Sequence, residues 1–548
     1  MLKYQLTSSL EKCFVDSDPM SFAPLKRISV LKDQKLSFQL IYRDLGTDVR
    51  YFLNAALSGV DAASVSYRTV EYIPSMMPVY RNLYDENYVN TMPGLYPDLL
   101  KPVSVDGVTV FPIATRSLWI ELSENALPAG DHKLTLTLTN DKGEAVCEVA
   151  LEVVVIDAAL PKQTLIQTGW FHTDSLMSYY RFEAFSDEYW RVTENFMRSA
   201  RGMGINLILT PVFTPPLDTK IGGERLTVQL VDVARKNGEY SFAYDKLDRY
   251  IKTAQSVGIT HFEIAHFFTQ WGAKHAPKIM ATTENGYERI FGWETDAAGE
   301  DYRTFLKAFV PALIAHLTEL GVIENTYFHI SDEPNETHFD SYRAAREGIA
   351  DLLRGHKVID ALTDFEYYKM GLAEHPIPGS HHMAPFIENN VPDLWTYYCC
   401  GQAVGTSNRF FGMPSARTRY LGTQLYYFDI KGFLQWGFNF YFSFLSTEPI
   451  NPFLDSTGNG FCESGDAYIV YPAPDGTAWE SIRYISFREG LEDMRAMQLA
   501  EKLVGREAVK ALLDRVTGGV NSFNECVCES KRMLAVREAV NALIAENL

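Results

Sequence analysis

The sequence has no cluster of basic residues and no long apolar run. Its net charge is −19 at pH 7, and so acidic a surface repels phosphate backbones, so we expect no nucleic-acid partner. No run of about 18 apolar residues occurs, so no membrane-spanning helix is predicted. The N-terminal stretch MLKYQLTSSLEKCFVDSDPM lacks the continuous apolar segment of a secretory signal peptide. These absences predict a cytoplasmic protein with no membrane partner.

Cysteines are few, and their spacing follows no known site. There are seven: Cys13, Cys147, Cys399, Cys400, Cys462, Cys526 and Cys528. No two of them form a CxxC pair and the number is odd, so neither a zinc site nor a disulfide framework is predicted. The neighbouring His381 and His382 have no acidic residue at a spacing suited to metal binding. We therefore expect free thiols in a reducing compartment, no metal and no cofactor.

The composition is that of a large globular protein. Apolar residues make up 46% and charged residues 22% of the chain, which argues against disorder. A length of 548 residues exceeds one compact domain, so we expect one large domain with smaller satellites. Aromatic residues reach 13%. They suit a sugar-binding protein, because aromatic faces cover the C–H faces of pyranose rings, but they serve the core of a large protein equally well.

The first 160 residues have the pattern of β-structure. Segments 27–42 and 118–122 alternate partly between apolar and polar residues, and segment 133–138 alternates strictly. Segment 148–155 follows a Gly-containing turn, which is typical of a hairpin. Several such strands predict an antiparallel β-sandwich over residues 1–160.

From about residue 165 the pattern changes to helices that end in glycine and are followed at once by short apolar runs. Such a glycine is the expected left-handed cap, and the run after it is typical of a buried parallel strand. Three units show this pattern, at 203–209, at 257–264 and at 320–322 leading to 327–330, and further strands are predicted at 357–363, 381–386, 393–400 and 432–438. With 165–171 as the first, this makes eight strands. Their alternation with helices predicts a (β/α)₈ TIM-like barrel over 161–500, with its site at the carboxyl ends of the strands. A doubly wound sheet competes, but no Gly-rich loop follows the first strand.

The C-terminal part has helical patterns at 481–503, 506–516 and about 529–547. The first completes the barrel wall in this interpretation. Residues 501–548 are predicted to form a short helical extension that packs on the barrel.

The sharpest local motif is the acidic pair Asp332 and Glu333. The predicted fourth strand runs through the buried His329 into these two acids and is stopped by Pro334. Two neighbouring carboxylates in different environments are what glycoside hydrolysis uses, one ionised and the other protonated near neutral pH. The alternative is that the acids only cap the following helix, predicted at 336–354. Their position at a strand end favours the catalytic interpretation.

A carboxylate nucleophile is missing from the other predicted strand ends. The seventh and eighth strands end in aromatic residues, and the possible partners Asp360 and Asp364 belong to the fifth strand, with Asp360 in its middle. This absence fits mechanisms in which the 2-acetamido group of the substrate itself attacks the anomeric carbon.

Several motifs in order resemble glycoside hydrolase family 123. They are SDEP at 331–334, WTYYC at 395–399, Asn408-Arg409, GFLQWGFNFY at 432–441, GDAYIVYP at 465–472 and SIRYISFREGLEDM at 481–494. The resemblance covers roughly residues 160–500, and the N-terminal sandwich resembles the accessory domain of that family. It implies a β-N-acetylgalactosaminidase that removes terminal GalNAc, for example from glycosphingolipid glycans. It also implies a retaining, substrate-assisted mechanism.

The resemblance further implies roles for individual residues. Asp332 would orient the acetamido group, and Glu333 would act first as general acid and then as general base. Because like charges so close cannot both ionise cheaply, Asp332 is predicted to ionise first. Trp395 and Trp436 would be walls for the sugar, and Tyr397 would donate a hydrogen bond to the acetamido oxygen.

Four polar residues complete the predicted site. Asn408 and Arg409 would bind sugar hydroxyls, and His172 and Asp174 would line the mouth of the barrel. For each of these, as for the aromatic walls, a purely structural role is the alternative. Two other functions also stay open: hydrolysis of another hexosaminide or modified sugar, and carbohydrate binding without catalysis. In each case the expected partner is an oligosaccharide or a glycolipid-derived glycan.

Overall fold

The computed structural model describes residues 2–79 and 83–548. The chain begins with a β-rich region, continues into a barrel of parallel strands and ends in three helices. Within the described residues, no helix is both long and apolar enough to cross a membrane.

The N-terminal region contains two five-stranded sheets. In spatial order the first consists of Leu2–Ser8, Leu36–Asp44, Arg116–Leu122, Val65–Ser75 and Gly94–Pro102. The second consists of Arg27–Leu31, Ala145–Ile156, Gly130–Thr139, Tyr51–Ser58 and Val108–Val110. Buried residues of both sheets, among them Phe38 and Leu136, belong to one hydrophobic cluster. This shared cluster joins the two sheets through their apolar side chains.

One edge of this region departs from the predicted antiparallel pattern. Arg27–Leu31 pairs with Ala145–Ile156 in parallel, with Val30 opposite Val155. Parallel partners need a long connection, which here is most of the N-terminal region. Alternation along a strand shows which side chains are buried, but it carries no information on strand direction.

Eight parallel strands form a nearly closed TIM-like barrel. In chain order they are Ile166–Gly169, Leu207–Thr210, His261–Ile264, Thr326–Phe328, Lys357–Ala361, His375–Ile377, Trp395–Tyr397 and Gly432–Gln435. The sheet runs from the sixth strand back to the first and then on to the eighth and seventh. Between the sixth and seventh strands, Tyr397 N–H donates to Pro378 O at 3.1 Å. This contact brings the two ends of the sheet together.

The sixth strand was predicted in the wrong place. Segment 381–386 forms the end of a 3₁₀ helix and the start of the helix Ala384–Glu388, and the strand is His375–Ile377. Pro385 in the first helical turn presets a helical φ, and Phe386 is 0% exposed because that helix packs against the core. Pro376 explains why the true strand was not predicted. Proline has no N–H to donate to a neighbouring strand, so its presence in a sequence argues against a strand.

The helices around the barrel are Thr173–Tyr180, Asp187–Met203, Asp245–Ser256, Glu300–Glu319, Phe339–Glu347, Phe365–Lys369, Ala384–Glu388 and Ser415–Tyr427. A small sheet of Asp232–Lys236, Glu239–Ala243, Ile279–Thr283 and Gly286–Phe291 is inserted around the third strand.

Three helices end the chain: Ile482–Val504, Arg506–Thr517 and Ser530–Glu546. The last also contacts the N-terminal region, because Asn541 Nδ2 donates to Ser29 Oγ at 2.9 Å and Ser29 N–H donates to Glu538 Oε1 at 2.9 Å. The C-terminal helix therefore ties the first sheets to the rest of the protein.

Candidate active site

A cleft of about 670 Å³ lies at the carboxyl ends of the barrel strands. Its acidic lining residues are Asp218, Asp332, Glu333 and Asp466. Its aromatic lining residues are Trp170, Trp271, Tyr397, Trp436, Phe440 and Phe461. A mostly apolar cleft with a few convergent carboxylates is typical of a small-molecule site.

Asp332 and Glu333 both line this cleft although they are neighbours in sequence. Successive residues of a strand normally face opposite sides, but Glu333 has a left-handed backbone with φ of 42°. Trp271 N–H donates to Asp332 O at 2.9 Å, and Glu333 N–H donates to Ala361 O at 3.0 Å. These contacts fix a conformation that is costly for a residue other than glycine and that persists only when its surroundings impose it.

The alternative role of the pair as a helix cap is wrong. The cap of the following helical turn, Glu336–His338, is Asn335. Its Oδ1 accepts a hydrogen bond from Thr337 N–H at 3.0 Å. The two acids are therefore not used to satisfy the helix start.

The two carboxyl groups have different surroundings. Tyr397 OH donates to Glu333 Oε1 at 2.7 Å, whereas no hydrogen bond from a described residue reaches the Asp332 carboxylate. Burial raises the pKa of Glu333, and the Tyr397 bond partly offsets it. Burial and then the charge of Glu333 raise the pKa of Asp332 well above its ordinary value. Burial thus raises the pKa of both carboxyl groups, and because the two groups are neighbours they lose their protons as a coupled pair.

A buried ion cluster lies beneath the pair. His329 Nε2 is 2.5 Å from Glu263 Oε1 and its Nδ1 is 3.4 Å from Asp360 Oδ1. Burial alone would lower the pKa of His329, but the two carboxylates outweigh it and raise that pKa to about 9. Trp170 Nε1 also donates to Glu263 at 2.8 Å. The resulting imidazolium acts on the pKa of Asp332 in the lowering direction.

Neither Asp360 nor Asp364 lines the cleft. Asp360 is 2% exposed and accepts hydrogen bonds from Ile330 N–H at 2.9 Å and from the Tyr342 hydroxyl. Asp364 caps the helix Phe365–Lys369 by accepting from Glu366 N–H at 3.0 Å. Both acids thus have structural partners, and neither is placed to attack a substrate.

Two further cleft acids, Asp218 and Asp466, were not singled out from the sequence. Burial raises the pKa of Asp218 to about 7 and that of Asp466 to about 6. Gln435 Nε2 donates to Asp466 Oδ1 at 3.1 Å. Asp466 lies inside the GDAYIVYP motif, which could have drawn attention to it. For Asp218 the only signal is its position in the loop after the second barrel strand.

The predicted aromatic residues of the site do not all line the cleft. Trp436 and Tyr397 line the cleft. Trp395 is 5% exposed, lies 5.3 Å from the Tyr327 ring and belongs to the interior cluster of the barrel. It is placed two residues before Tyr397 on the seventh strand, hence deeper in the barrel. For Trp395 the structure supports the core alternative.

Asn408 and Arg409 do not line the cleft. Asn408 is 0% exposed and its Nδ2 donates to Cys399 O and Gln402 O, both at 2.9 Å. Arg409 is 2% exposed and its Nη2 donates to Asp466 O at 2.5 Å. The predicted sugar contacts are replaced by contacts with backbone carbonyls, so these side chains hold the backbone beside the cleft.

His172 lines the cleft but Asp174 does not. Arg225 joins them, with its Nε 2.6 Å from Asp174 Oδ2 and its Nη2 3.1 Å from His172 Nδ1. The side chains of Arg225 and Asp174 are each 1% exposed. Burial, and then the charge of Arg225, lower the pKa of His172 to about 3. The imidazole is therefore neutral at neutral pH and belongs to a buried network.

No metal arrangement is found in the described ranges 2–79 and 83–548, where no three His, Cys, Asp or Glu side chains are grouped to hold an ion.

Comparison with known proteins identifies the family. The model of the glycoside hydrolase 123 catalytic domain matches residues 170–500. A family 123 glycoside hydrolase from Clostridium perfringens that hydrolyses glycolipid glycans has a similar structure, with a TM-score of 0.75 and 15% identity over 100% of this chain and 98% of that chain.

A second solved structure is much less similar. A β-glucuronidase from Parabacteroides merdae aligns with a TM-score of 0.31 and 10% identity over 90% of this chain and 51% of that one, too low to support an argument. No curated protein sequence matches the chain. The family match over the barrel, with the acid pair at its carboxyl end, shows that the chain belongs to glycoside hydrolase family 123 and is a glycoside hydrolase.

Proposed function

We propose that the enzyme is a retaining, exo-acting β-N-acetylgalactosaminidase that uses the acetamido group of its substrate as nucleophile. The observation that carries the proposal is the joint placement of Asp332 and Glu333 in one cleft. The two other cleft acids are poorer candidates for a nucleophile, because Asp466 Oδ1 already accepts a hydrogen bond from Gln435 Nε2 at 3.1 Å and burial raises the pKa of Asp218 to about 7. A protonated carboxyl does not attack, so an internal nucleophile from the substrate fits better.

The proposed reaction has two steps. Asp332 accepts the acetamido N–H, the acetamido oxygen attacks C1 to form an oxazolinium, and Glu333 gives its proton to the departing glycosidic oxygen. Glu333 then takes a proton from water, which attacks C1 and reopens the ring with net retention. Acid–base catalysis of this kind contributes about 10²–10⁴ in rate, and the intramolecular attack adds the benefit of proximity.

The neighbouring residues support these roles. Tyr397 already donates to Glu333 Oε1, and in this proposal its hydroxyl turns to the acetamido oxygen when substrate binds. The imidazolium of His329 favours an anionic Asp332. Asp332 needs that charge when positive charge develops on the acetamido nitrogen.

We further propose terminal GalNAc of glycans such as glycosphingolipid oligosaccharides as the substrate, because the similar Clostridium perfringens enzyme hydrolyses glycolipid glycans. The two N-terminal sheets, residues 1–160, are proposed to form a sandwich that accompanies a barrel of residues 161–500 and a helical tail of residues 501–548. A cytoplasmic location is part of the same proposal.

The decisive experiment is a panel of chromogenic β-glycosides. The β-GalNAc substrate is expected to turn over and the β-galactoside, which lacks the acetamido group, is not. A GalNAc-thiazoline, which mimics the oxazolinium, is expected to bind far more tightly than GalNAc. Efficient cleavage of the galactoside without thiazoline inhibition contradicts the proposal. Turnover of another hexosaminide alone selects the second specificity, and binding without any turnover selects the non-catalytic function.

A further inference from the structure

Four aromatic rings lead from the inside of the cleft to the protein surface. The Trp436 ring centre lies 5.1 Å from that of Phe440 and 5.9 Å from that of Phe461, which in turn lies 4.8 Å from that of Phe444. We call these four residues the aromatic row. Exposure rises along it, from 0% at Phe440, through the half-buried Trp436 and Phe461, to 48% at Phe444. Because the first three rings line the cleft, the row extends the cleft outwards.

The outer end of the row is held firmly. Phe444 begins a short turn in which Leu445 and Ser446 both have left-handed backbones, with φ of 54° and 51°. Leu445 O accepts from Lys220 N–H at 2.9 Å, and Ser446 Oγ donates to Asp218 O at 2.7 Å. Two consecutive non-glycine residues in this conformation persist only where the surroundings impose it, and such sites are often functional. The strained turn thus keeps the apolar ring of Phe444 about half exposed to solvent.

We propose that the outer half of the aromatic row, Phe461 and Phe444, is a subsite for the second sugar of the substrate, the pyranose that departs with the glycosidic oxygen. This inference rests on the proposed exo action. Once the terminal sugar lies beside Asp332 and Glu333, the remainder of the glycan has to extend towards solvent, and the row continues in that direction. Aromatic faces cover the apolar C–H faces of pyranose rings while the sugar hydroxyls stay accessible.

Polar groups beside the outer ring favour a sugar over an acyl chain. Phe444 N–H donates to Gly458 O at 3.1 Å, which places the exposed Asn459 next to the turn. Asn459 Nδ2 donates to Glu448 Oε1 at 3.0 Å, and Glu448 O accepts from Ser443 N–H at 2.9 Å. An amide and a carboxylate on the segments bonded to this turn suit the hydroxyls of a pyranose, whereas an acyl chain gains nothing from them.

The test compares two substrates that share the terminal sugar. One is a β-linked disaccharide ending in GalNAc, and the other is β-GalNAc fluoride, whose leaving group is too small to contact Phe444. The ratio of kcat/KM for the disaccharide to that for the fluoride is expected to fall about 2- to 12-fold in Phe444→Ala, the range of one aromatic stacking contact. Phe444→Trp should keep the wild-type ratio. The matched control is Tyr287→Ala, which removes a ring 63% exposed on the strand Gly286–Phe291 and should also keep the ratio.

An unchanged ratio in Phe444→Ala overturns the subsite, whether both substrates keep their kcat/KM or both lose it equally. An unchanged ratio together with a loss on lipid-linked glycans would assign the ring to the lipid. Failure of the proposed specificity looks different, because wild type would then release another sugar from the glycoside panel. The same ratio is then measured with the disaccharide and the fluoride of that sugar. The test of the subsite is therefore independent of the test of the proposed specificity.

Discussion

Tyr397 OH donates a hydrogen bond to Glu333 Oε1 at 2.7 Å, so the seventh barrel strand supports an acid that follows the fourth. The bond stabilises the charged carboxylate and lowers the pKa of Glu333 against the effect of burial. The protonation of the candidate general acid is thereby controlled by a residue far away in sequence. Five predictions follow from the contacts of the cleft and its surroundings.

Tyr397→Phe removes this donor while keeping the ring. The pKa of Glu333 should rise, because burial then acts without the opposing hydrogen bond. The basic limb of the kcat/KM profile should therefore move up by about one pH unit. A hydrogen bond to a charged group contributes about 1.5–3 kcal/mol, and water replaces part of it. The measurement is a pH–rate profile of both proteins on one β-GalNAc substrate. A limb that stays in place or moves down shows that Tyr397 does not tune this acid.

The two acids should respond differently to the leaving group. Glu333→Gln is expected to lose about 10²–10⁴ in kcat/KM on glycosides of poorly acidic alcohols and much less on activated phenyl glycosides, which need little protonation. Asp332→Asn is expected to lose activity on both classes, because ring closure itself is impaired. Plots of log kcat/KM against leaving-group pKa measure the difference. Parallel plots for the two variants contradict the assigned roles.

Asp332→Asn should also move the basic limb of the pH profile. In wild type the pair loses its second proton next to an existing negative charge, which raises the apparent pKa. In the variant Glu333 is the only carboxyl left in the pair, so its proton leaves at lower pH and the limb moves down. The profile is recorded on an activated substrate, with folding checked at each pH. An unmoved limb means that the two carboxyl groups are not coupled.

Asp174→Ala should act on stability. The substitution leaves Arg225 buried without its carboxylate partner, and breaking a buried pair in this way costs about 3–5 kcal/mol. Urea unfolding measures the loss. The matched control is Asp364→Ala, which removes a helix cap at about 1 kcal/mol. If Asp174→Ala lowers the free energy of unfolding no more than the control does, the ion pair with Arg225 does not stabilise the fold.

His329 should make the stability depend on pH. Its pKa of about 9 in the folded protein exceeds the ordinary value of a histidine. Its contribution to the free energy of unfolding is therefore fully present below about pH 6.5 and is lost as pH rises through about 9. The change is roughly 3 kcal/mol. Lys12 titrates in the same range, because burial lowers its pKa to about 7. The measured quantity is therefore the difference in unfolding free energy between wild type and the double variant His329→Gln/Glu263→Gln.

That difference should shrink between pH 6.5 and pH 9, since the double variant lacks both the imidazolium and one of its carboxylate partners. Replacing both members by glutamine avoids leaving Glu263 as an unpaired buried charge, and Asp360 keeps its hydrogen bonds from Ile330 N–H and the Tyr342 hydroxyl. A constant difference over this range means that His329 is not charged in the folded protein.

Local patterns in the sequence predicted much of the fold. Apolar runs, three of them after a glycine cap, located seven of the eight barrel strands to within a few residues. The acid pair was found for the same reason. A buried strand that ends in two carboxylates and a proline is a local motif, and the placement of strand ends at one face of a barrel follows from the fold class.

The sequence by itself thus determined the period of most elements, their approximate ends and the acids at the fourth strand, because these depend on residues within a few positions of one another. Only the tertiary structure decided which polar side chains find buried partners. It turned Asn408, Arg409 and Asp174 inwards, brought Asp218 into the cleft and set Tyr397 against Glu333. Such contacts join residues far apart in sequence, and burial and ion pairing fix the charge of each group only once the barrel has closed around it.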